Sequence, residues 1–181
     1  MRLGLRLARN ISGAAAAELA LALPLLLILI CGSVELGNYF LDEHRLVKAV
    51  RDGARFAARQ NLSYFTSCSG APGGTVVSDT QNVIRTGVLS NGDDRMPGLG
   101  AAGATIDVTI VGCRTTADGT AGGSPLSGFY ANVKNSSGTI VGAPIVEVNA
   151  SIPYTPVVKS FGFSGYNLTL NAKQQAAVIG W

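Results

Sequence analysis

Glu18 is the residue whose type and position most strongly suggest a chemical role, because it places a carboxylate at the head of a long apolar run. It follows Gly13 and four consecutive alanines, and residues 19–34 after it carry no charge. A carboxylate at the centre of a membrane helix costs about 2.5–3.5 kcal/mol on insertion scales. A charge kept at such a cost usually has a function, so Glu18 is the first candidate functional residue.

Outside this segment the chain offers no recognisable catalytic or metal-binding arrangement. His44 is the only histidine, and one histidine cannot supply a typical zinc site. Asp93, Asp94 and Asp118 lie in glycine-rich loops and lack the regular ligand spacing of a calcium site. The segment Gly70–Thr75 lacks the lysine of a phosphate-binding loop. We therefore expect no enzyme activity, no cofactor, no metal and no small-molecule substrate.

The apolar run around Glu18 is long enough to form one transmembrane helix. Residues 19–34 alone would extend about 24 Å as a helix, which is less than the roughly 30 Å of a bilayer core. Adding residues 11–18 gives about 36 Å, which spans the core with room to tilt. We therefore predict a single transmembrane helix at about residues 14–36.

The charges on either side of this helix predict its orientation. Arg2, Arg6 and Arg9 precede it without any acidic residue, whereas acidic and basic residues mix after it. The positive-inside rule then places the N-terminus in the cytoplasm and the remainder on the exported side. Those three arginines account for the whole net charge of +3, so the charge gives no indication of nucleic-acid binding.

The three cysteines fit the same topology. Cys31 lies inside the apolar run, where it is expected to pack as a small hydrophobic residue. Cys68 and Cys113 would both be exported, and disulfides persist in that environment. Pairing them would stabilise the fold by about 4 kcal/mol on the chain-entropy model. We predict this disulfide, the alternative being two unpaired thiols.

Three ordinary interpretations compete for the N-terminus. A secretory signal peptide has an apolar core of about 7–15 residues and a small-residue cleavage site, whereas this core is longer and is followed by the unsuitable Ser33-Val34-Glu35. A lipoprotein signal would modify Cys31, but the bulky Ile30 precedes it. A plain single-pass anchor, with Glu18 reaching back to the interface, remains open, although it gives the spacing from Gly13 to Glu18 no role.

The same spacing resembles the class III leader of type IV-type pilins and pseudopilins: basic residues, a glycine, four small residues, a glutamate and an apolar helix. The resemblance implies cleavage by a prepilin peptidase after Gly13, so that residues 1–13 are a cytoplasmic leader. Ala14 then becomes the new N-terminus and Glu18 the fifth residue of the mature chain. Its carboxylate would pair with the new α-ammonium group or with a neighbouring subunit, and pairing makes a buried charge tolerable.

Three further motifs in order resemble the TadE-like family, the minor pilin-like proteins of tight-adherence (Flp-type) pilus systems. They are ELALALPLLL at residues 18–27, VELG at residues 34–37 and AVRDGARFAA at residues 49–58. The resemblance implies a pseudopilin that contacts the bacterial inner membrane, the prepilin peptidase, other pilins and the tight-adherence machinery. The alternative is a single-pass anchored extracytoplasmic binding or adhesion protein that never enters a pilus.

Beyond the membrane the same helix is predicted to continue, within a segment 14–62, as an amphipathic helix. An apolar face is formed by Phe40, Val47, Val50, Ala54 and Ala57, which fall within about a third of the circumference. The opposite face carries charged residues, namely Asp42, Arg45, Lys48, Asp52, Arg55 and Arg59. We expect the apolar face to dock on the chain's own exported domain, the alternative being contact with other subunits.

Residues 63–181 are predicted to form this exported domain. Ser78 is a plausible N-cap for a short helix that runs to about Leu89. Apolar and polar residues alternate at 105–111, 145–152 and 167–172, which predicts three strands, and residues 133–141 could add a hairpin. The sequence therefore predicts an α+β fold in which a long N-terminal helix packs on a small antiparallel sheet, in the lollipop arrangement of pilins.

Overall fold

The structure is a computed structural model that describes residues 11–116, 123–124, 126–135, 137–158 and 168–180, with the backbone alone at residues 11 and 12. Several residues used in the sequence predictions lie outside this described part, namely Arg2, Arg6, Arg9, Asp118, Ser136 and Asn167. The chain divides into two compact units. One contains Met1–Asn38 and Pro156–Gly165, and the other contains Tyr39–Thr155 and Tyr166–Trp181.

One long helix, α1, comprises Ile11–Ala58 and is 48 residues long. At 1.5 Å per residue it measures about 72 Å. Pro24 lies inside it, in the apolar run, where residues that break helices elsewhere are tolerated. The predicted continuous helix is therefore confirmed, beginning three residues before Ala14.

Three antiparallel strands form the sheet of the second unit. They are β1 (Thr105–Arg114), β2 (Ala143–Pro153) and β3 (Thr169–Ala177), in the spatial order β1-β2-β3. All three strands overlap the predicted segments. The predicted hairpin at residues 133–141 is present as an isolated bridge between Lys134 and Ile140 rather than as paired strands, and the N–H of Val141 donates to the carbonyl oxygen of Val133 at 2.8 Å.

The core of the second unit lies between the inner face of the sheet and the C-terminal part of α1. Val146, Val148 and Ile152 of β2 are fully buried there together with Leu46 and Val50 of α1. The α+β fold with a long helix packed on a small antiparallel sheet is thus confirmed.

The buried face of α1 is rotated relative to the predicted one. Leu46, Ala49, Val50, Gly53, Ala54 and Ala57 are buried, at the spacings of three and four residues that one helix face requires. Val50, Ala54 and Ala57 were predicted correctly, whereas Phe40 and Val47 are 50% and 37% exposed. Asp42, predicted on the polar face, is buried, and Arg45 donates to its Oδ1 at 3.1 Å.

A second helix, α2 (Val76–Thr86), packs across α1 at Gly53. Its N-cap is Thr75, so the prediction of Ser78 as N-cap is wrong. The Ser78 hydroxyl instead donates to the carbonyl oxygen of Thr75 at 2.9 Å within the first turn. The helix ends at Thr86, before the predicted Leu89, because Gly87 adopts a left-handed conformation with φ +83°. Glycine is the residue that most readily takes this conformation at the C-terminal end of a helix.

Two long-range links join the segments that surround the sheet. Cys68 and Cys113 form a disulfide with a Cα–Cα distance of 5.1 Å, which confirms the predicted pair. The backbone N–H of Ile179 donates to the carbonyl oxygen of Ala58 at 2.7 Å. The chain segments after α1 and after β3 are therefore both held at the C-terminal end of the long helix.

Candidate membrane anchor and processing segment

The apolar run of α1 exposes nearly all of its large side chains. Leu21 is 82% exposed and Leu25 61% exposed. Every large apolar residue from Leu19 to Ile30 is at least two-fifths exposed. Within the described residues, Gly13–Ala58 is the one helix that is long and apolar enough to cross a membrane. Such a continuous apolar surface marks a membrane or protein contact rather than a water-facing surface.

Gly13, Ala14 and Glu18 lie on the first turns of α1, and all three are exposed. Apart from its chain neighbours and the nearby backbone of the helix, no described atom lies within 4 Å of the position that a Cβ on Gly13 would take. Because Ala14 and Glu18 are four residues apart, they lie on the same face of the helix, one turn from each other. The helix therefore places the N-terminus that cleavage would create next to the Glu18 carboxylate, while the cleavage itself stays a prediction.

Glu35 is a second carboxylate at the other end of the apolar run, and its environment differs from that of Glu18. Its side chain is only 6% exposed. Its Oε2 accepts hydrogen bonds from the backbone N–H of Val157 at 3.1 Å and of Val158 at 2.9 Å, and its Oε1 accepts from Val157 at 3.3 Å. Glu35 therefore holds the segment after β2 against the helix.

The sequence predictions did not assign this role to Glu35. Glu35 appeared in them only as part of the VELG motif and as the last residue of Ser33-Val34-Glu35, which is unsuitable as a signal-peptide cleavage site. The available signal was its position, since it is the next charged residue after Glu18 and lies 17 positions further along the helix, or about 26 Å. Its partners could not be inferred, because 122 residues separate Glu35 from Val157.

The other candidate residues do not come together. His44 is exposed on α1. Asp94 forms an ion pair with Arg85 at 3.4 Å, and Asp93 is exposed. Among the described residues, no three histidine, cysteine or acidic side chains are close enough to share a metal ion.

Among the described residues, two titratable groups of the second unit have shifted pKa values with structural causes. Hydrogen bonds from Lys173, at 2.9 Å, and from Gln175 lower the pKa of Glu147 on the outer face of the sheet. Burial raises the pKa of Tyr130, whose hydroxyl donates to the carbonyl oxygen of Val178 at 2.7 Å. At neutral pH Glu147 stays ionised and Tyr130 stays neutral, so each keeps the form that suits its contacts within the domain.

A shallow surface groove of about 300 Å³ lies beside α2, and its polar groups are already engaged. The side-chain amide of Gln81 donates to the carbonyl oxygen of Ile106 at 2.8 Å. Arg85, also on its wall, is the partner of Asp94. The side chains of Gln81 and Arg85 are therefore already engaged within the protein rather than available to a ligand.

Comparison with known proteins agrees with the sequence motifs. The model of the TadE-like protein family matches residues 13–55. The matched region lies entirely within α1 and contains Gly13, Ala14, Glu18 and Glu35. No curated protein and no solved structure matches the chain significantly. The resemblance to the TadE-like family is thus confirmed for the long helix.

Proposed function

Because its long helix is TadE-like from residue 13 to residue 55, we propose that this protein is a pilin-like structural subunit, a pseudopilin, of a tight-adherence pilus system. It is made as a single-pass inner-membrane precursor with its N-terminus in the cytoplasm. The prepilin peptidase cleaves it after Gly13. It then acts in pilus assembly or at the pilus tip together with other pilins.

The observation that carries the proposal is the division of α1 into two chemical environments. Large apolar side chains are exposed along residues 19–36. Further along the same helix, Leu46, Val50 and Ala57 are buried in the chain's own domain. A subunit that resides in a membrane and later packs among other helices needs a long helix whose first half is apolar. The second half of that helix must be covered by the subunit's own domain.

The position of Glu18 supports the processing step. In an exposed apolar helix its carboxylate is costly unless an opposite charge compensates it. Cleavage after Gly13 would create an α-ammonium group on Ala14, one helical turn away on the same face. A neighbouring subunit's α-ammonium group could provide the same compensation in a filament.

Mass spectrometry of the membrane-extracted protein tests the cleavage. In cells that contain the cognate peptidase, we expect the mature chain to begin at Ala14. A Gly13→Val variant should keep the leader, whereas Gly37→Ala, also at an exposed glycine of α1, should be processed normally. An intact N-terminus on the unmodified protein in such cells would contradict the proposal.

Replacing the glutamate tests its role in assembly. We expect Glu18→Ala to reduce piliation strongly, because the ion pair with an α-ammonium group is lost. Glu43→Ala, which removes a carboxylate from the same helix beyond the apolar run, should leave piliation unchanged. Normal piliation of the Glu18→Ala strain would refute the role of that carboxylate. Recovery of the protein only from membranes and never from purified pili would favour an anchored adhesion protein instead.

A further inference from the structure

The contact between Glu35 and the segment that follows β2 lies at the end of the exposed apolar run. Both partners belong to the same compact unit. The Glu35 side chain is buried, yet its neighbours along the helix, Val34 and Leu36, are 51% and 55% exposed. Val157, whose N–H donates to Glu35, is itself 61% exposed. Exposed apolar residues thus flank the buried carboxylate on its own helix and at the segment that donates to it.

Hydrogen bonding explains why a carboxylate occupies this position. A loop in water can satisfy its N–H groups with solvent, so it has no need of a buried acid. Irregular backbone at membrane depth is tolerated only where its polar groups find partners within the protein. Charge-assisted hydrogen bonds from N–H groups to a carboxylate are stronger than neutral ones. The N–H groups of Val157 and Val158 stabilise the buried charge of the carboxylate. In return, the carboxylate provides these two N–H groups with hydrogen-bond acceptors.

We propose that Glu35 holds Val157 against the exported face of the membrane, so that Val157 contacts lipid together with Val34 and Leu36, which lie on either side of Glu35 around the helix. The inference rests on the proposed membrane anchor and extends it by assigning a second chain segment to the bilayer. Lipid is the favoured occupant because Val34 and Leu36 follow the exposed large apolar side chains of Leu19–Ile30 on the same helix. Glu35 also lies about 26 Å beyond Glu18 along the helix, close to the roughly 30 Å thickness of the hydrocarbon core.

Depth-dependent quenching of tryptophan fluorescence tests the contact. The chain has a single tryptophan, so Trp181→Phe provides a background into which V157W, I28W or Y64W is introduced. Each full-length protein is reconstituted into phosphatidylcholine–phosphatidylglycerol vesicles with bromine atoms placed either near the lipid headgroup or near the end of the acyl chain. Ile28 reports on the membrane helix, and Tyr64, which is 41% exposed, reports on the exported domain.

We expect V157W to lose emission with the shallow bromine label, I28W with the deep label, and Y64W with neither. Quenching of I28W without quenching of V157W would overturn the inference and leave the membrane anchor intact. Absence of quenching in I28W would overturn the anchor and the inference with it. Equal quenching of V157W and Y64W would mean that the domain adsorbs non-specifically, and this outcome also overturns a specific lipid contact.

Variants of the carboxylate test whether Glu35 creates this contact. Glu35→Ala should abolish the shallow quenching of V157W and accelerate hydrogen exchange at the amides of Val157 and Val158. Glu35→Gln, which keeps one acceptor oxygen and nearly the same shape, should have an intermediate effect. Glu43→Ala is the matched control and should change neither measurement. Unchanged quenching and exchange in Glu35→Ala would show that the carboxylate does not hold the segment.

Discussion

Thr80 shows how tightly α2 packs on the C-terminal part of α1. Its side chain is fully buried on the face of α2 that contacts α1. In the part of the chain that the structure describes, its hydroxyl group has no hydrogen-bond partner. A buried hydroxyl without a partner costs about 1–3 kcal/mol. Thr80 therefore contributes its methyl group to packing, while its hydroxyl group destabilises the domain.

We expect Thr80→Val to increase the free energy of unfolding by about 1 kcal/mol, because it replaces the buried hydroxyl with a methyl group of similar size. Urea unfolding of the full-length protein in detergent measures the change. Thr86→Val on the same helix is the control, and it should decrease stability because the Thr86 hydroxyl donates to the carbonyl oxygen of Asn82 at 2.9 Å. A loss of stability in Thr80→Val equal to that of Thr86→Val would contradict this explanation.

At the scale of single residues, only local signals could be read from the sequence, and the processing site they indicate stays a prediction. Gly13, Ala14 and Glu18 form a motif within six consecutive residues, so their spacing could be read directly. Cys68 and Cys113 could be paired because only two cysteines were expected on the exported side. The Glu35 contact could not be predicted, since its partners are backbone N–H groups that any residue except proline offers.

At the scale of elements, hydrophobic periodicity identified α1 and all three strands but placed the buried face of α1 incorrectly. Phe40 and Val47 were assigned to the core on hydrophobicity, yet both are exposed. Smaller residues, Ala49 and Gly53, lie in the core because α2 and the sheet approach the helix closely there. Periodicity cannot distinguish a large residue directed at the core from one directed at lipid or at another subunit.

We expect enlargement of Gly53 to separate α1 from α2. A Cβ at this position would lie 2.7 Å from Ile84 Cδ1 and 3.4 Å from Thr80 Cγ2. Ile84 is fully buried and cannot move aside freely. Gly53→Val should therefore decrease the free energy of unfolding by about 1–3 kcal/mol, the usual cost of overpacking, even though replacing a helical glycine would otherwise be favourable.

Thermal unfolding of the full-length protein, followed by circular dichroism, measures this effect. Gly37→Val is the matched control, because no described atom outside its chain neighbours and the nearby helix backbone lies within 4 Å of a Cβ at that position and the substitution is the same. Its stability should equal or exceed that of the unmodified protein. Equal unfolding temperatures for the Gly53→Val protein and the unmodified protein would show that the close approach of the two helices can relax without cost.

At the scale of the whole molecule, covalent and hydrogen-bonded links join segments that are distant in sequence. The disulfide ties the chain just after α1 to the end of β1, with a separation of 45 residues. Near it, the N–H of Ile110 donates to the carbonyl oxygen of Gly70 at 2.6 Å. These links hold a glycine-rich domain whose described residues form a sheet of three strands. A domain with so small a core depends on such links for a large share of its stability.

We expect the double variant C68S/C113S to lose about 2–4 kcal/mol of unfolding free energy, because an unfolded chain without the disulfide gains the entropy of an open loop. The same loss should follow treatment of the unmodified protein with a reductant. Cys31→Ser is the matched control, since Cys31 is a free cysteine, and its unfolding midpoint should stay unchanged. Urea unfolding of both variants is measured with and without reductant. Reductant should lower the midpoint of Cys31→Ser, which keeps the disulfide, but not that of C68S/C113S, which lacks it. If all four measurements gave the same midpoint, the disulfide would contribute nothing to the stability of the domain.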